Sequence, residues 1–233
     1  MNKKLSLVVV ILTALALTGS ALALAPMGPP TAGLKTGQFR AGAEYSYSKD
    51  DMKVEGEKID NVTSNMIFGN LGYGIMDEWE GFARLGVANV DYHDGDLSGD
   101  YGFAWGFGTK VTFLKQENLN WGALFQMTWT DSKDKDEDVK FDFYDMQIAV
   151  GPTWKLNDTL SIYGGPFVHL IKGHVDNVTN DDDVVTDVDL KEYSAFGGYV
   201  GAEAALAANT SLFGEFQFTG SGWAIGTGIN WKF

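Results

Sequence analysis

Trp223-Ala224-Ile225-Gly226-Thr227-Gly228-Ile229-Asn230-Trp231-Lys232-Phe233 closes the chain, and its reading decides the fold. The odd positions Trp223, Ile225, Thr227, Ile229, Trp231 and Phe233 are mostly large and apolar, whereas the even ones, Ala224, Gly226, Gly228, Asn230 and Lys232, are small or polar. Period two predicts a strand with distinct faces. The bulk lies on one face and the polar atoms on the other, and this strand ends on an aromatic residue rather than in a polar tail. A strand of a water-soluble sandwich would turn its bulky face to a core. Here that face is expected to meet hydrocarbon.

The same alternation recurs upstream. Tyr101 to Phe113 puts Tyr101, Phe103, Trp105, Phe107, Val111 and Phe113 on one face, with Gly102, Ala104, Gly106, Gly108, Lys110 and Thr112 on the other. So many aromatics on one face is too many for exposure to water. Working back, Gln38–Ser48, Ser64–Ile75 and Trp79–Val90 read as strands; working forward, Asn120–Thr130, Phe141–Trp154, Leu160–Ile171, Tyr193–Leu206 and Ser211–Thr219 do. Leu160–Ile171 is ambiguous, because Leu160, Ile162, Val168 and Leu170 form one apolar set and Tyr163, Phe167 and Ile171 another. We place the aliphatic set outward, which puts His169 inside.

The count is ten strands, with eight as the alternative, each about the 9–11 residues that cross a bilayer at a tilt. Short turns near 77, 116, 157 and 208 alternate with longer charged loops over 49–61, 91–100, 131–140 and 172–192. Aromatics gather at both rims: Phe39, Tyr73, Trp79, Phe113, Trp121, Trp154, Trp231 and Phe233 near the turns, and Tyr47, Tyr101, Trp129, Tyr144, Phe196 and Trp223 near the loops. Two girdles and asymmetric connections are the expected marks of a barrel in a membrane.

At the other end, Met1-Asn2-Lys3-Lys4 is basic, Leu5–Leu17 is apolar but too short to span a bilayer, and Ala21-Leu22-Ala23 is a small-x-small cleavage site. Residues 1–23 therefore read as a signal peptide cut after Ala23. Residues 24–37, rich in Pro and Gly, are expected to be an extended periplasmic lead-in, and 38–233 the barrel. Losing Lys3 and Lys4 takes the formal charge from −14 to −16, which argues against nucleic acid as a partner. The chain has no cysteine, so disulfides and a lipid-modified cysteine are both excluded.

With these features together, the chain resembles the small outer-membrane β-barrel, or porin-like, superfamily, over residues 38–233. The resemblance implies an all-β, transmembrane, antiparallel up-and-down barrel in the bacterial outer membrane. It also implies that Gly228, Trp231 and Phe233 act as a terminal insertion signal for the barrel assembly machinery, with Gly226 departing from the polar residue usual there.

Inside the barrel we place Arg40, Glu44, Glu80, Arg84, Lys110, Asp145, Glu203, Glu215 and Lys232. A narrow lumen makes unpaired charges costly, so a paired network filling the barrel is expected, with a wet ion path as the alternative. Asp94-Gly95-Asp96-Leu97-Ser98-Gly99 resembles half a calcium loop but lacks the closing acid, since Trp105 stands there. Asp176, Asp181, Asp182, Asp183, Asp187 and Asp189 could hold divalent cations weakly; the plainer reading is a solvated acidic loop.

His93 beside Asp94, and His174 near Asp176, imitate acid–base pairs in loops where composition alone would put them together. No catalytic constellation, resident metal or cofactor is expected. Gly106-Phe107-Gly108-Thr109-Lys110 lies in a strand without phosphate-loop spacing, and the sequons at Asn61 and Asn177 carry little weight. The function expected first is a structural or surface-interaction scaffold that presents acidic extracellular loops. A small diffusion channel is the alternative, and a lipid-active enzyme stands third.

Overall fold

In a computed structural model of the protein, residues 24–54, 57–92, 97–134, 140–176, 178–180, 183–185, 188–192 and 194–233 are described. The signal-peptide reading of residues 1–23 lies outside them. Every regular element among the described residues is a strand: β1 (Phe39–Val54), β2 (Glu57–Met76), β3 (Trp79–Tyr92), β4 (Leu97–Asp100), β5 (Gly102–Lys115), β6 (Leu119–Asp134), β7 (Lys140–Lys155), β8 (Leu160–Asp176), β9 (Val178–Asn180), β10 (Asp183–Val185), β11 (Val188–Glu192), β12 (Phe196–Ala207), β13 (Thr210–Thr219) and β14 (Trp223–Lys232).

Ten of them form the wall, in the order β1, β2, β3, β5, β6, β7, β8, β12, β13 and β14, each antiparallel to the next. The terminal strand closes the ring on β1 over the register Arg40↔Lys232 to Lys49↔Trp223. Phe39 and Phe233 complete the seam by exchanging two main-chain hydrogen bonds of 3.0 Å. The barrel is thus an up-and-down antiparallel barrel of ten strands.

Period two sets which face each residue takes. Ile67, Leu71, Leu85, Phe103, Trp105, Phe107, Ile148, Val200 and Trp231 are exposed on the outer surface, while Phe68, Arg84, Leu124, Gln147 and Glu215 point inward and are buried. In β8 the aliphatic set faces out; Tyr163, Phe167, His169 and Ile171 are all buried. Short-turn and long-hairpin rims both carry aromatic contacts, Phe39 against Tyr73 and Phe233 at one and Tyr47 against Trp223 at the other.

Two expectations about connections change. The charged stretches assigned to loops are largely strand, since β1 runs to Val54, β2 begins at Glu57, β6 runs to Asp134, and β8 to Asp176. Charged residues hide alternation wherever both strand faces meet water, so hairpins standing above the bilayer read as loops. These extensions close a second ring. Above the membrane wall, β4 pairs with β3 and β6 in place of β5, and β11 bridges β8 to β1. The upper ring is therefore β1, β2, β3, β4, β6, β7, β8 and β11. It forms where β13 and β14 end in the tight Gly220-Ser221-Gly222 connection, and β1 carries a bulge at that height, between Asp50 and Met52.

The second change concerns residues 24–37. They were expected outside the barrel as a periplasmic lead-in. Instead they enter at the short-turn rim and climb the lumen: Leu24, Ala25, Met27, Thr31 and Leu34 are all buried. The physical reason is the width of the ring. The inward faces of β5, β6, β7, β12 and β14 carry Gly102, Gly106, Gly108, Gly122, Gly151, Gly197, Gly201, Gly226 and Gly228, which leaves space for a chain rather than only side chains. At Gly122 the approach is close, because a Cβ there would stand 2.5 Å from the Pro30 carbonyl oxygen. Gly37 makes the entry turn with φ of +78°, a conformation that suits glycine.

Candidate functional site in the barrel lumen

Several of the inward charges act on this inner segment, and they do so in two arms. Nearest the short turns, Arg40 Nη1 donates to Glu80 Oε1 at 3.0 Å, and Glu80 Oε2 accepts the Gly33 backbone N–H at 2.7 Å. Lys232 Nζ donates to the Gly33 carbonyl at 2.9 Å, so both sides of one glycine are gripped. Thr112 Oγ1 accepts from Ala32 N, and Thr31 Oγ1 pairs with Thr153 Oγ1 at 2.8 Å. Outside the wall, Asp77 in the β2–β3 turn accepts from both the backbone N–H and the hydroxyl of Thr36 at 2.9 Å. The Thr36 backbone N–H foremost, and then its hydroxyl, hold this exposed carboxyl below the usual carboxylate range.

The second arm lies higher. Glu215 accepts the backbone N–H of Met27 at 3.0 Å and of Gly28 at 2.8 Å. Gln217 Nε2 donates to Glu215 Oε1 at 2.8 Å and to the Ala25 carbonyl at 3.0 Å. Gln126 Nε2 reaches the same carbonyl at 3.2 Å and also donates to Gln147 Oε1; Gln147 Nε2 then donates to Gln217 Oε1 at 3.4 Å. Three glutamines on β6, β7 and β13 thus make a chain across the lumen. Arg84 joins it, donating through Nη2 to Gln126 Oε1 at 2.8 Å and to the Pro26 carbonyl at 3.3 Å. Its Nη1 stands 3.8 Å from Glu44 Oε2, an ion-pair separation, while Glu44 Oε1 accepts from Asn70.

Of the other inward charges, Lys110 is buried with its Nζ 5.7 Å from the Phe82 ring centre, beside Gly28. Glu203 is half-buried and accepts from Ser211 Oγ at 2.7 Å. Asp145 lies 4.0 Å from His169 Nδ1, and His169 Nε2 lies 2.6 Å from the Ser194 carbonyl oxygen. Burying a charge is tolerable only when partners replace water. Here much of that replacement comes from the main chain of residues 25–33.

The glutamine chain and Ser48, which accepts from Leu24 N at 3.2 Å, were not singled out as site residues in the sequence. The available signal was the inward position of Gln126, Gln147 and Gln217 on apolar strands. Below the glutamines a cavity of about 170 Å³ remains, lined by Met27, Gly28, Arg40, Glu44, Lys110, Glu203 and Lys232 among others. At the other end of the chain, Gly228 packs against the Phe213 ring, and Trp231 and Phe233 face outward.

Among the acidic positions considered for cations, Asp94, Asp96, Asp181, Asp182 and Asp187 lie outside the described residues, as does His93. Asp176, Asp183 and Asp189 fall on β8, β10 and β11. Among the described residues, no group of three or more His, Asp or Glu side chains is placed to hold a metal ion.

The fold and this lumen can be set beside known proteins. The translocator domain of the autotransporter NalP from Neisseria meningitidis is similar at a TM-score of 0.52 with 10% identity, over 86% of this chain and 90% of that one. The outer membrane protease OmpT from Escherichia coli is similar at 0.53 with 11% identity, over 92% of this chain and all of that one. At such identities the likeness is one of fold. None of the curated proteins matches the chain in sequence. The model of the outer membrane protein beta-barrel domain matches residues 79–230, well over half the chain. On that match and the ten-stranded barrel, the protein is an integral β-barrel of the bacterial outer membrane and belongs to the outer membrane protein beta-barrel domain family.

Proposed function

We propose that the protein is a closed barrel that serves as a structural or surface-interaction scaffold, anchored by outer-membrane lipid and presenting its long hairpins, with their acidic tips, outside the cell. The observation that carries this reading is the inner segment, whose backbone from Leu24 to Gly33 is held by side chains from six wall strands, with Thr153 on β7 adding a bond to the Thr31 hydroxyl. A diffusion path would have to displace it. The aromatic outer face and Phe233 at the seam support two partners, the lipid around the barrel and the assembly machinery that reads the C-terminal strand. Weak divalent cations at the acidic tips belong to the same proposal.

The reading is of a non-enzyme. Its support is the position of His169, buried with one ring nitrogen on the Ser194 carbonyl, away from both lipid and water. A second reading, a narrow channel, has one observation in its favour, the charged cavity below the glutamines. Planar-bilayer recordings separate the two. Intact protein is expected to give no steps above background, and protein lacking residues 24–34 is expected to conduct. Regular steps from the intact, folded protein would overturn the scaffold and support the channel.

A further inference from the structure

The top of the inner segment ends in a pocket that is polar without need. Leu24 is fully buried, and its N–H donates to Ser48 Oγ. Ser46 and Asp50 flank Ser48 on the same inward face of β1, and Ser64 is its direct partner on β2. All four are buried, none more than 1% exposed. Ser46 Oγ, Ser64 Oγ and Asp50 Oδ2 have no hydrogen-bond partner among the described residues. The other carboxylate oxygen of Asp50 accepts from Ser221 Oγ. Neighbours two apart on a strand face, or opposite on the adjacent strand, stand within about 7 Å, so Ser46, Asp50 and Ser64 each border Ser48, on which the Leu24 N–H is seated.

A peptide N–H brings one donor to this pocket. An α-ammonium brings three and a positive charge, which matches what is left over: two further hydroxyl oxygens and a carboxylate oxygen. We infer that the Ala23–Leu24 bond is the processing site and that the pocket of Ser46, Ser48, Ser64 and Asp50 is a receptor for the Leu24 α-ammonium it releases. A leader peptidase adds water across that bond, leaving a carboxylate on Ala23 and, after protonation, the ammonium on Leu24. The charge then pairs with Asp50 and the remaining protons with the serines, fixing the upper end of the inner segment. Cleavage has to come before the ring closes, because Leu24 lies inside the wall with its N-terminal side directed to the pocket. The inference stands whether or not the lumen conducts.

Two measurements on protein purified from outer membranes test it. Intact mass should place the mature terminus at Leu24. Reductive dimethylation with formaldehyde and cyanoborohydride at neutral pH should label that amine at least a hundredfold more slowly in the folded barrel than in urea. For the pairing, chain beginning at Leu24 is refolded with a free or an acetylated terminus, each with Asp50 or with Asp50→Asn. Acetylation should raise the unfolding constant about tenfold with Asp50 in place and less than threefold in the Asp50→Asn background, where the carboxylate charge is gone. If the Asp50→Asn barrel does not refold, the same cycle is run with Ser64→Ala. A terminus other than Leu24, equal labelling in folded and unfolded protein, or an equal acetylation effect in both backgrounds would each overturn the inference.

Discussion

Replacing Glu215 by alanine tests the inner segment at its most heavily used anchor. The carboxylate accepts two backbone N–H groups, from Met27 and Gly28, and one side-chain N–H from Gln217, all within 3.0 Å. Hydrogen bonds to a charged group contribute roughly 1.5–3 kcal/mol each, and the lower value suits a carboxylate beside Lys110 and a polar cavity. Two lost backbone bonds then cost about 3 kcal/mol of segment docking. At 1.36 kcal/mol per decade this is about a hundredfold in the opening equilibrium. Amide hydrogen exchange reads that equilibrium residue by residue. The amides of Met27 and Gly28 should exchange about a hundredfold faster in Glu215→Ala, while wall amides of β6 and β7 stay protected. Glu215→Gln should fall between, since its amide can accept one bond without the charge. Exchange at Met27 and Gly28 within threefold of wild type, in a barrel that still shifts on heating in gel electrophoresis, would refute the account of how the segment is held.

Leu85, exposed at 62% on the outer face of β3, should tolerate no charge in a bilayer: Leu85→Arg is expected to lose about 2–4 kcal/mol of folding stability in lipid, measured by urea titration in vesicles, and a neutral result would contradict the lipid-facing assignment. Gly122→Val should displace Pro30 and make residues 24–34 susceptible to added protease at a cost of about 1–3 kcal/mol, while the wall persists; unaltered resistance would mean the segment yields without strain. Asp77, whose folded pKa is depressed by Thr36, contributes to anchoring fully above its unfolded value of about 3.9 and loses that contribution as pH falls through the folded value, so Thr36 amide exchange should quicken below that value and Asp77→Asn should abolish the pH response. Deleting Phe233 removes both seam hydrogen bonds to Phe39 and the ring stacked on it at 6.0 Å, and should lower the yield of heat-modifiable, membrane-inserted protein; normal assembly would reduce the residue to an ordinary strand end.

The wall was legible because its information is local. Alternation along Tyr101–Phe113 needs no knowledge of any partner strand, and even in β8 the choice between two apolar sets was settled by aliphatic against aromatic character. The upper hairpins were not legible, because Lys49-Asp50-Asp51 looks like a loop whether or not its backbone is paired. The inner segment was hidden for a different reason. Pro26 to Gly33 has no period, and its partners Ser48, Glu80, Arg84, Gln126, Thr153, Glu215 and Lys232 are scattered over most of the sequence. Leu24, Met27 and Leu34 in a supposed periplasmic tail were the available hint, apolar side chains without an assigned core. The nine inward charges could be placed by parity alone. Their partners could not, since much of what they bind is main chain that carries no side-chain signature.

The change of partner along β1 gives the barrel two separate closures. Its lower edge is claimed by β14 as far as Trp223 and its upper edge by β11 from Glu192, so the chain closes on itself twice, at two heights and through two separate stretches. The lower closure lies within the bilayer and needs only the end of the chain. The upper one needs β11 to reach across the recessed β13–β14 turn. The collar is therefore a second fastening, separate from the one that seals the wall, which makes it a latch above the hoop.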